Sequence, residues 1–405
     1  MNWLIIIFLF TSFKHAAINV NAESAGDRAR AAASLARRIT ATTRTSVPPS
    51  SCLPLLPLGT HMGAQYTPPL NRTAANLTNA LYGNLLHLGG TFYQISLPWA
   101  DIETTPGSPN FVVVAEILQS ARADGLSLLF QIAAIDTEHA SVPTDLVNPA
   151  DPTSLRAGLT WNSTEVVDRF AAVIEVIAPL AAYSGAVYFG VGNEVDVNLG
   201  LKGGGNVAYE FAEFLYIFKA FIQQLTTKEI GVGVTLTVGG IGGWAPPATP
   251  PSWASTIFEI ADVTPITYYP LNSNFTVVTD AGSRDRAVND AINALPETAC
   301  VIFQELGMPT GYMNSSSTND SSDEIQAEFF TSFAAFLKVV NSTKKAVRGV
   351  SLYQMVDMDP AACIGLAQYY NLSAPAFVEY LCTLGAISAD GIPKLGWSAF
   401  LKAFF

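Results

Sequence analysis

Charge is scarce in this 405-residue chain: Asp, Glu, Lys and Arg together make up 13% of it. Histidine and cysteine are scarcer still, at four each. The histidines are scattered and the cysteine spacing fits no zinc pattern, so no metal site is expected. No Gly-x-Gly-x-x-Gly follows the first predicted strand. Gly203-Gly204-Gly205 lacks the Lys-Ser/Thr of a phosphate loop and reads as a turn, so no cofactor is implied. Long apolar runs are also missing. Leu4 to Phe13 is too short to cross a bilayer of about 30 Å, and no membrane span is expected after removal of the N-terminal segment. Basic residues are the rarer sign, 21 against 33 acidic, giving −12. Such a surface repels polyanions, which excludes nucleic acid as a natural partner. What the chain has in quantity is apolar side chains, 49% of the total. That suffices for a large core and excludes disorder over most of the length.

The N-terminus is chemically distinct. Residues 1–22 carry an apolar stretch followed by small residues, the pattern of a secretory signal peptide, with a cut after Ala22 or near Ala17. Residues 1–50 hold six basic residues (Lys14, Arg28, Arg30, Arg37, Arg38, Arg44) and two acids (Glu23, Asp27). Residues 23–50, rich in Ala, Arg, Ser and Thr, read as a linker or as a propeptide ending at Arg37-Arg38; a transit peptide has the same composition. Eight Asn-X-Ser/Thr sequons (Asn71, Asn76, Asn162, Asn274, Asn314, Asn319, Asn341, Asn371) fit a secreted or cell-wall glycoprotein. In that compartment the four cysteines allow up to two disulfides. Cys363–Cys382 would close one loop near the C-terminus, leaving Cys52 with Cys300.

From residue 51 onward, β-rich runs alternate with amphipathic ones. Strands are predicted at Leu55–His61, Thr91–Leu97, Ser127–Ala133, Ala186–Gly192, Ile230–Val238, Val263–Tyr268, Cys300–Glu305 and Gly349–Tyr353. Helices are predicted at Ala74–His87, Val112–Ala123, Thr164–Ala181, Val207–Leu225, Arg284–Leu295, Asp323–Val340 and Trp397–Phe405. Ser163 or Thr164 can cap the third helix, and Ser321-Ser322-Asp323 can start the sixth. Eight β-then-α units in series favour a parallel sheet, and eight closes a barrel. The fold class is therefore α/β, a single (β/α)8 TIM barrel over residues 51–405.

Reactive groups in such a barrel stand where strands emerge at the C-terminal face. The fourth predicted strand runs into Gly192-Asn193-Glu194, and the seventh ends Phe303-Gln304-Glu305-Leu306-Gly307. A carboxylate at a strand end is costly unless partnered, yet no Arg or Lys occupies a comparable strand end. Two carboxyl groups on opposite walls of one cleft are what glycoside hydrolysis needs.

At these residues the chain resembles the glycoside hydrolase clan A barrels. Gly192-Asn193-Glu194 is similar to the clan's Asn-Glu signature after strand 4. Gln304-Glu305-Leu306-Gly307-Met308-Pro309-Thr310 is similar to its nucleophile segment at strand 7. Ile266-Thr267-Tyr268-Tyr269-Pro270 resembles the Tyr-Tyr-Pro of galactanase-like members. Leu97 through Glu103, followed by Pro106-Gly107, resembles the segment after strand 2. The resemblance implies retention of anomeric configuration, with the two carboxyls about 5–5.5 Å apart. It casts Glu194 as acid/base, Glu305 as nucleophile and Asn193 as donor to the sugar 2-hydroxyl. Tyr268 or Tyr269 would hydrogen-bond Glu305, and strand alternation lets only one point inward. Two departures stand out. The second strand, Tyr93-Gln94-Ile95-Ser96, has no Arg where many clan members place one. The eighth offers Tyr353, Gln354 and Asp357 in place of a Trp, which makes Gln354 a candidate substrate contact.

Sugar C–H faces pack on aromatic rings, and Trp99, Trp161 and Trp244 are the candidate platforms. Trp253 and Trp397 read as core. The resulting expectation is a secreted retaining β-glycoside hydrolase with a carbohydrate substrate. The competing expectation is an inactive carbohydrate-binding or surface protein on the same barrel.

Overall fold

The computed structural model describes residues 92–404, apart from 124, 126, 227–229, 243–250, 312–318 and 341–346, together with the backbone of 61–65 and a few residues between 25 and 34. Nine parallel strands form its main sheet: β1 (His61–Gln65), β2 (Phe92–Pro98), β3 (Ser127–Ala133), β4 (Ala186–Gly190), β5 (Gly231–Gly233), β6 (Leu236–Thr237), β7 (Thr264–Tyr268), β8 (Val301–Leu306) and β9 (Val347–Leu352). Neighbours in sequence are neighbours in space, and β1 pairs with β9 as well as β2. β4 pairs with β5 and β6 with β7, so β5 and β6 are two halves of one stave. Eight staves thus close the expected (β/α)8 barrel.

Two of the predicted strands sit differently. The first strand begins at His61, where the expected Leu55–His61 would end; residues 55–60 and the predicted helix Ala74–His87 lie outside the described residues. The fifth predicted strand, Ile230–Val238, is split. Its backbone runs so close to the next stave that a Cβ on Gly233 would meet Val263 O at 2.2 Å.

Strand alternation sorts the core into two compartments. Phe92, Leu129, Tyr188, Val263, Cys300 and Ile302 form one small cluster. Their immediate neighbours Tyr93, Leu128, Phe130, Phe189, Val301 and Phe303 belong to the large cluster under the helices. One step further along the inward face, apolar side chains give way to polar ones: Gln94, Gln131, Gln304 and Ser351, all buried. This change from hydrocarbon to amide and hydroxyl marks the approach to the chemical end of the barrel.

The shell helices are α1 (Val112–Ala123), α2 (Thr164–Tyr183), α3 (Val195–Leu201), α4 (Gly205–Leu225), α5 (Ser252–Ile260), α6 (Ala281–Ala294), α7 (Asp323–Val340), α8 (Pro360–Tyr369), α9 (Pro375–Cys382) and α10 (Leu395–Phe404). Ser163 occupies the N-cap of α2 but its hydroxyl donates to Thr160 O and makes no cap bond. Ser322 does cap α7, accepting from Ile325 N at 3.2 Å. The α8–α9 pair, unread in the sequence, is joined by the Cys363–Cys382 disulfide, with Cα atoms 5.3 Å apart. Cys300 is also disulfide-bonded, and its expected partner Cys52 lies outside the described residues. From the basic N-terminal segment, Arg30 reaches Asp168 at 3.1 Å and Arg28 pairs with Glu175, both on α2. Among the described sequons, Asn274 and Asn371 are exposed. Asn319 is fully buried, so a bulky glycan there would not fit the folded chain.

Beneath the loop after β2, Glu103 is buried and accepts from Trp99 Nε1 (3.0 Å), Gly107 N (2.6 Å) and Arg169 Nε (2.9 Å). Arg169 is the only positive group in that set, and Arg169→Met would leave the buried Glu103 carboxyl without its cation partner. Breaking such a pair costs about 3–5 kcal/mol. Urea or thermal unfolding of the variant is expected to show that loss, while the isosteric change on the exposed Arg286 should be silent.

Candidate active site

Glu305 owes its position to an irregularity. On the β7 side, Ile266 pairs with Phe303 and Thr267 with Glu305, so Gln304 is an extra residue. On the β9 side, three steps from Phe303 to Leu306 span two from Val350 to Leu352. A β-bulge of this kind re-aims side chains beside active sites. Gln304 is fully buried here and Glu305 is at 6% exposure.

Glu194 is placed by a turn. Its backbone is left-handed, φ 44° and ψ 42°, as the N-cap of α3. That conformation costs a non-glycine residue on the order of 1–3 kcal/mol. The flanking backbone holds it there: Asn193 N donates to Ile135 O (2.8 Å), Thr137 N to Asn193 O (3.0 Å) and Val195 N to Thr235 O (3.1 Å). The carboxyl is bracketed by two hydroxyls, Thr267 Oγ1 on Oε1 at 2.6 Å and Thr137 Oγ1 on Oε2 at 2.9 Å.

Burial and mutual repulsion govern the charges. Burial lifts Glu194 to about 7, against the pull of Thr267, with Asp196 and Asp136 adding to the rise. Glu305 is raised well above the ordinary range by burial and by Glu194, while the Tyr269 hydroxyl, donating at 2.6 Å, pulls it down. Two carboxyls that repel each other in a dry cleft cannot both ionise readily, so they share a proton over a range of pH. A phenol is a stronger donor than an alcohol. Tyr269 therefore helps the charge on Glu305, as the Thr267 and Thr137 hydroxyls help it on Glu194.

Of the two candidate tyrosines, Tyr269 is the one in the site. Tyr268 points outward, packs against Phe329 and Phe333, and donates to Arg284 O at 3.0 Å. Asn193 is nearly buried and donates to Asp136 at 3.1 Å. Gln354 is buried beside Tyr353 at the end of β9. The tryptophan platforms fail. Trp99 is fully buried, tilted against Phe170 with ring centroids 4.8 Å apart and tied to Glu103. Trp161 is buried edge-on against Phe211 and Phe214. Neither offers a face to a ligand, and Trp244 lies outside the described residues. Trp253 and Trp397 are buried as expected.

The aromatic wall comes from elsewhere. Tyr353 and Tyr380 stand edge-on to Tyr269 at 5.7 and 5.5 Å. Tyr369, at the end of α8, is 47% exposed and lies 4.4 Å from the His139 ring. Three of these rings, Tyr353, Tyr369 and Tyr380, follow β9, and of them the sequence singles out Tyr353 alone. Asp136 and Thr137 were also unread; their one signal is that they follow β3 directly. At the strand-2 position without Arg, Gln94 is buried with its amide unpartnered, and the charges acting on Glu305 are the negative Glu194 and Asp136.

The chain aligns with GH5_18 from Streptomyces cattleya in complex with GlcNAc at 15% identity and TM-score 0.60, over 85% of this chain and 79% of that one. It shares this chain's fold. Exo-beta-1,4-mannosidase from an Opitutaceae bacterium aligns at 16% identity and TM-score 0.60, over 85% and 59%. A fungal beta-1,4-galactanase gives 16% and 0.55, over 84% and 99%. The sequence matches no family model and no curated protein. The likeness is one of fold, the (β/α)8 barrel, reached with very little sequence in common.

Proposed function

We propose that the chain is a secreted retaining β-glycoside hydrolase acting on a polysaccharide or glycan, with residues 1–22 as signal peptide and 51–405 as the catalytic barrel. One observation carries the reading: a half-buried Glu194 and a buried Glu305, delivered by the ends of the fourth and seventh staves, are electrostatically coupled and differently hydrogen-bonded. A glutamate pair with one shared proton is the starting state of double displacement.

In the first step the Glu305 carboxylate attacks the anomeric carbon as the glycosidic C–O bond breaks. Glu194 gives its proton to the departing oxygen. The charge of Glu305 is then lost in the ester, so the repulsion that raised Glu194 disappears and its carboxylate becomes a usable base. In the second step Glu194 takes a proton from water, the water oxygen attacks the anomeric carbon, and the bond to Glu305 breaks. Asn193 stands next to Glu194 with its amide available to the sugar 2-hydroxyl. Tyr269 holds the Glu305 charge, and Tyr353 with Tyr369 supplies aromatic surface for sugar rings.

The test is hydrolysis of a panel of aryl β-glycosides and wall polysaccharides, with proton NMR reporting the first anomer released. Turnover with a β product supports the reading. Binding without turnover would favour a carbohydrate-binding protein on the same barrel, and an α product would sink the retaining mechanism. Tyr269→Phe is expected to lower kcat/KM at acidic pH. Without the phenol the pKa of Glu305 rises, so the acidic limb of the profile moves upward while the alkaline limb stays.

A further inference from the structure

A chain of buried polar side chains crosses the barrel beneath the two glutamates. Gln131 Nε2 lies 2.9 Å from Ser96 Oγ, and Gln131 Oε1 lies 2.9 Å from Thr235 Oγ1. Thr235 Oγ1 is 2.8 Å from Gln304 Oε1, Gln304 Nε2 is 3.4 Å from Asn193 Oδ1, and Asn193 Nδ2 donates to Asp136 Oδ1 at 3.1 Å. Gln131, Thr235 and Gln304 are each at most 1% exposed. The staves involved are β2, β3, the gap between β5 and β6, β8 and the end of β4. Gly190 leaves the room this needs, because a Cβ there would meet Gln131 Oε1 at 2.6 Å.

Proton counting gives the chain a direction. Asp136 can only receive from Asn193 if Asn193 turns its NH2 that way, which turns its oxygen toward Gln304. Gln304 must then present NH2 to Asn193 and oxygen to Thr235. The single Thr235 proton goes to Gln304 and cannot also serve Gln131. Gln131 completes the row with its NH2 on Thr235 and its oxygen on the Ser96 hydroxyl, the end-for-end amide arrangement at the same separations. Every link then donates the same way, from Ser96 to Asp136, and the buried Tyr188 hydroxyl lies beside the row where Gly190 leaves room.

The two ends of the Gln304–Asn193 link matter because each residue directly precedes a glutamate of the pair. We propose that this relay is a positioning device: Thr235 and Gln304 fix the Asn193 amide with its NH2 toward the cleft and hold Glu194 and Glu305 in register with one another. The inference rests on the glycosidase reading for its consequences, and on side-chain geometry alone for its existence. None of Ser96, Gln131, Thr235 or Gln304 need touch the substrate. Their effect passes through Asn193, so it should be felt where Asn193 donates, at the 2-hydroxyl.

Thr235→Val tests this, since it removes one hydroxyl at nearly constant volume and leaves both glutamates and Asn193 untouched. On an aryl glycoside that the wild type cleaves, kcat is expected to fall roughly 10- to 100-fold with KM little changed, less than the roughly 10²- to 10³-fold lost when a charge-stabilising donor is removed outright, because here the donor is only misdirected. On the matching 2-deoxy glycoside the same variant should lose less than about 3-fold, and Thr235→Ser should restore activity on the 2-hydroxy substrate. Equal losses on both substrates, or no rescue by Ser, would reduce the relay to ordinary core packing and overturn the proposal. Crystal structures of the wild type and T235V need no substrate and keep the question decidable if no glycoside is cleaved. In T235V the Asn193 amide should leave Asp136, whereas an unchanged Asn193–Asp136 bond would overturn the relay independently of the proposed activity.

Discussion

Replacing Glu305 by Gln is expected to abolish turnover, by on the order of 10⁴-fold or more, while the barrel becomes more stable at neutral pH. The amide cannot form the glycosyl ester, so the first step has no nucleophile. The stability gain has a separate cause. Burial and Glu194 raise the Glu305 pKa in the folded chain, so the fold favours its protonated form. A carboxyl raised this way stabilises the fold fully below its unfolded pKa, and that contribution drains away as pH climbs toward the folded value. Gln never ionises, so thermal unfolding should show a higher midpoint than wild type at pH 7–8 and a similar one at pH 4. Glu194→Ala should divide by leaving group. Poor leaving groups need the proton and should lose about 10²- to 10⁴-fold, whereas activated aryl glycosides should be much less affected in the first step. If both variants turn over substrate at the wild-type rate, the two-glutamate assignment is wrong.

The second large effect is in the pH profile of kcat/KM, which should be a bell with its alkaline limb near neutrality. Activity needs Glu194 protonated and Glu305 ionised. Glu194 is lifted to about 7, so protonated enzyme is lost as pH rises through that value. The acidic limb reports ionisation of the pair's first proton, and the upward pressure on Glu305 should bring it close to the alkaline one. A narrow bell follows, with an optimum on the acidic side of pH 7. Among the described residues the charges acting on Glu305 are the negative Glu194 and Asp136, and none of them widens the plateau. The measurement is a pH series on purified enzyme at two ionic strengths. The limbs should barely move with salt, since the groups are buried. A flat profile from pH 4 to 9 would be incompatible with a shared proton.

Several features were legible in the residues because they depend on local order. Period-two and period-3.6 patterning located seven of the eight staves, and Asn193-Glu194 and Gln304-Glu305 stood out as acids ending apolar runs. Cys363–Cys382 followed from loop closure near the C-terminus. The tryptophans were misread for a different reason. Trp99 falls in a loop by sequence, but a single helical turn, Trp99–Ile102, rolls it under α2 onto Phe170. Whether an aromatic ring faces solvent depends on what packs over it, and that partner is 71 residues away. Helix α8 went unread because the apolar residues of Pro360–Tyr369 make no single stripe; the disulfide and α9 hold it in place.

The amino-acid sequence by itself determined the alternation of strand and helix, the closure number, and the two carboxyls at strand ends. Those follow from side-chain periodicity and from the cost of charge in an apolar run. Only the tertiary structure decided which tyrosine meets Glu305, which rings form the wall, and how Asn193 is oriented. Tyr268 and Tyr269 differ by one residue, hence by one face of the strand, and the assignment turned on the bulge that shifts β8 against β7 at Gln304. A one-residue slip moves every side chain to the opposite face, so register, which no single strand carries in its own sequence, chose the residues that share the site.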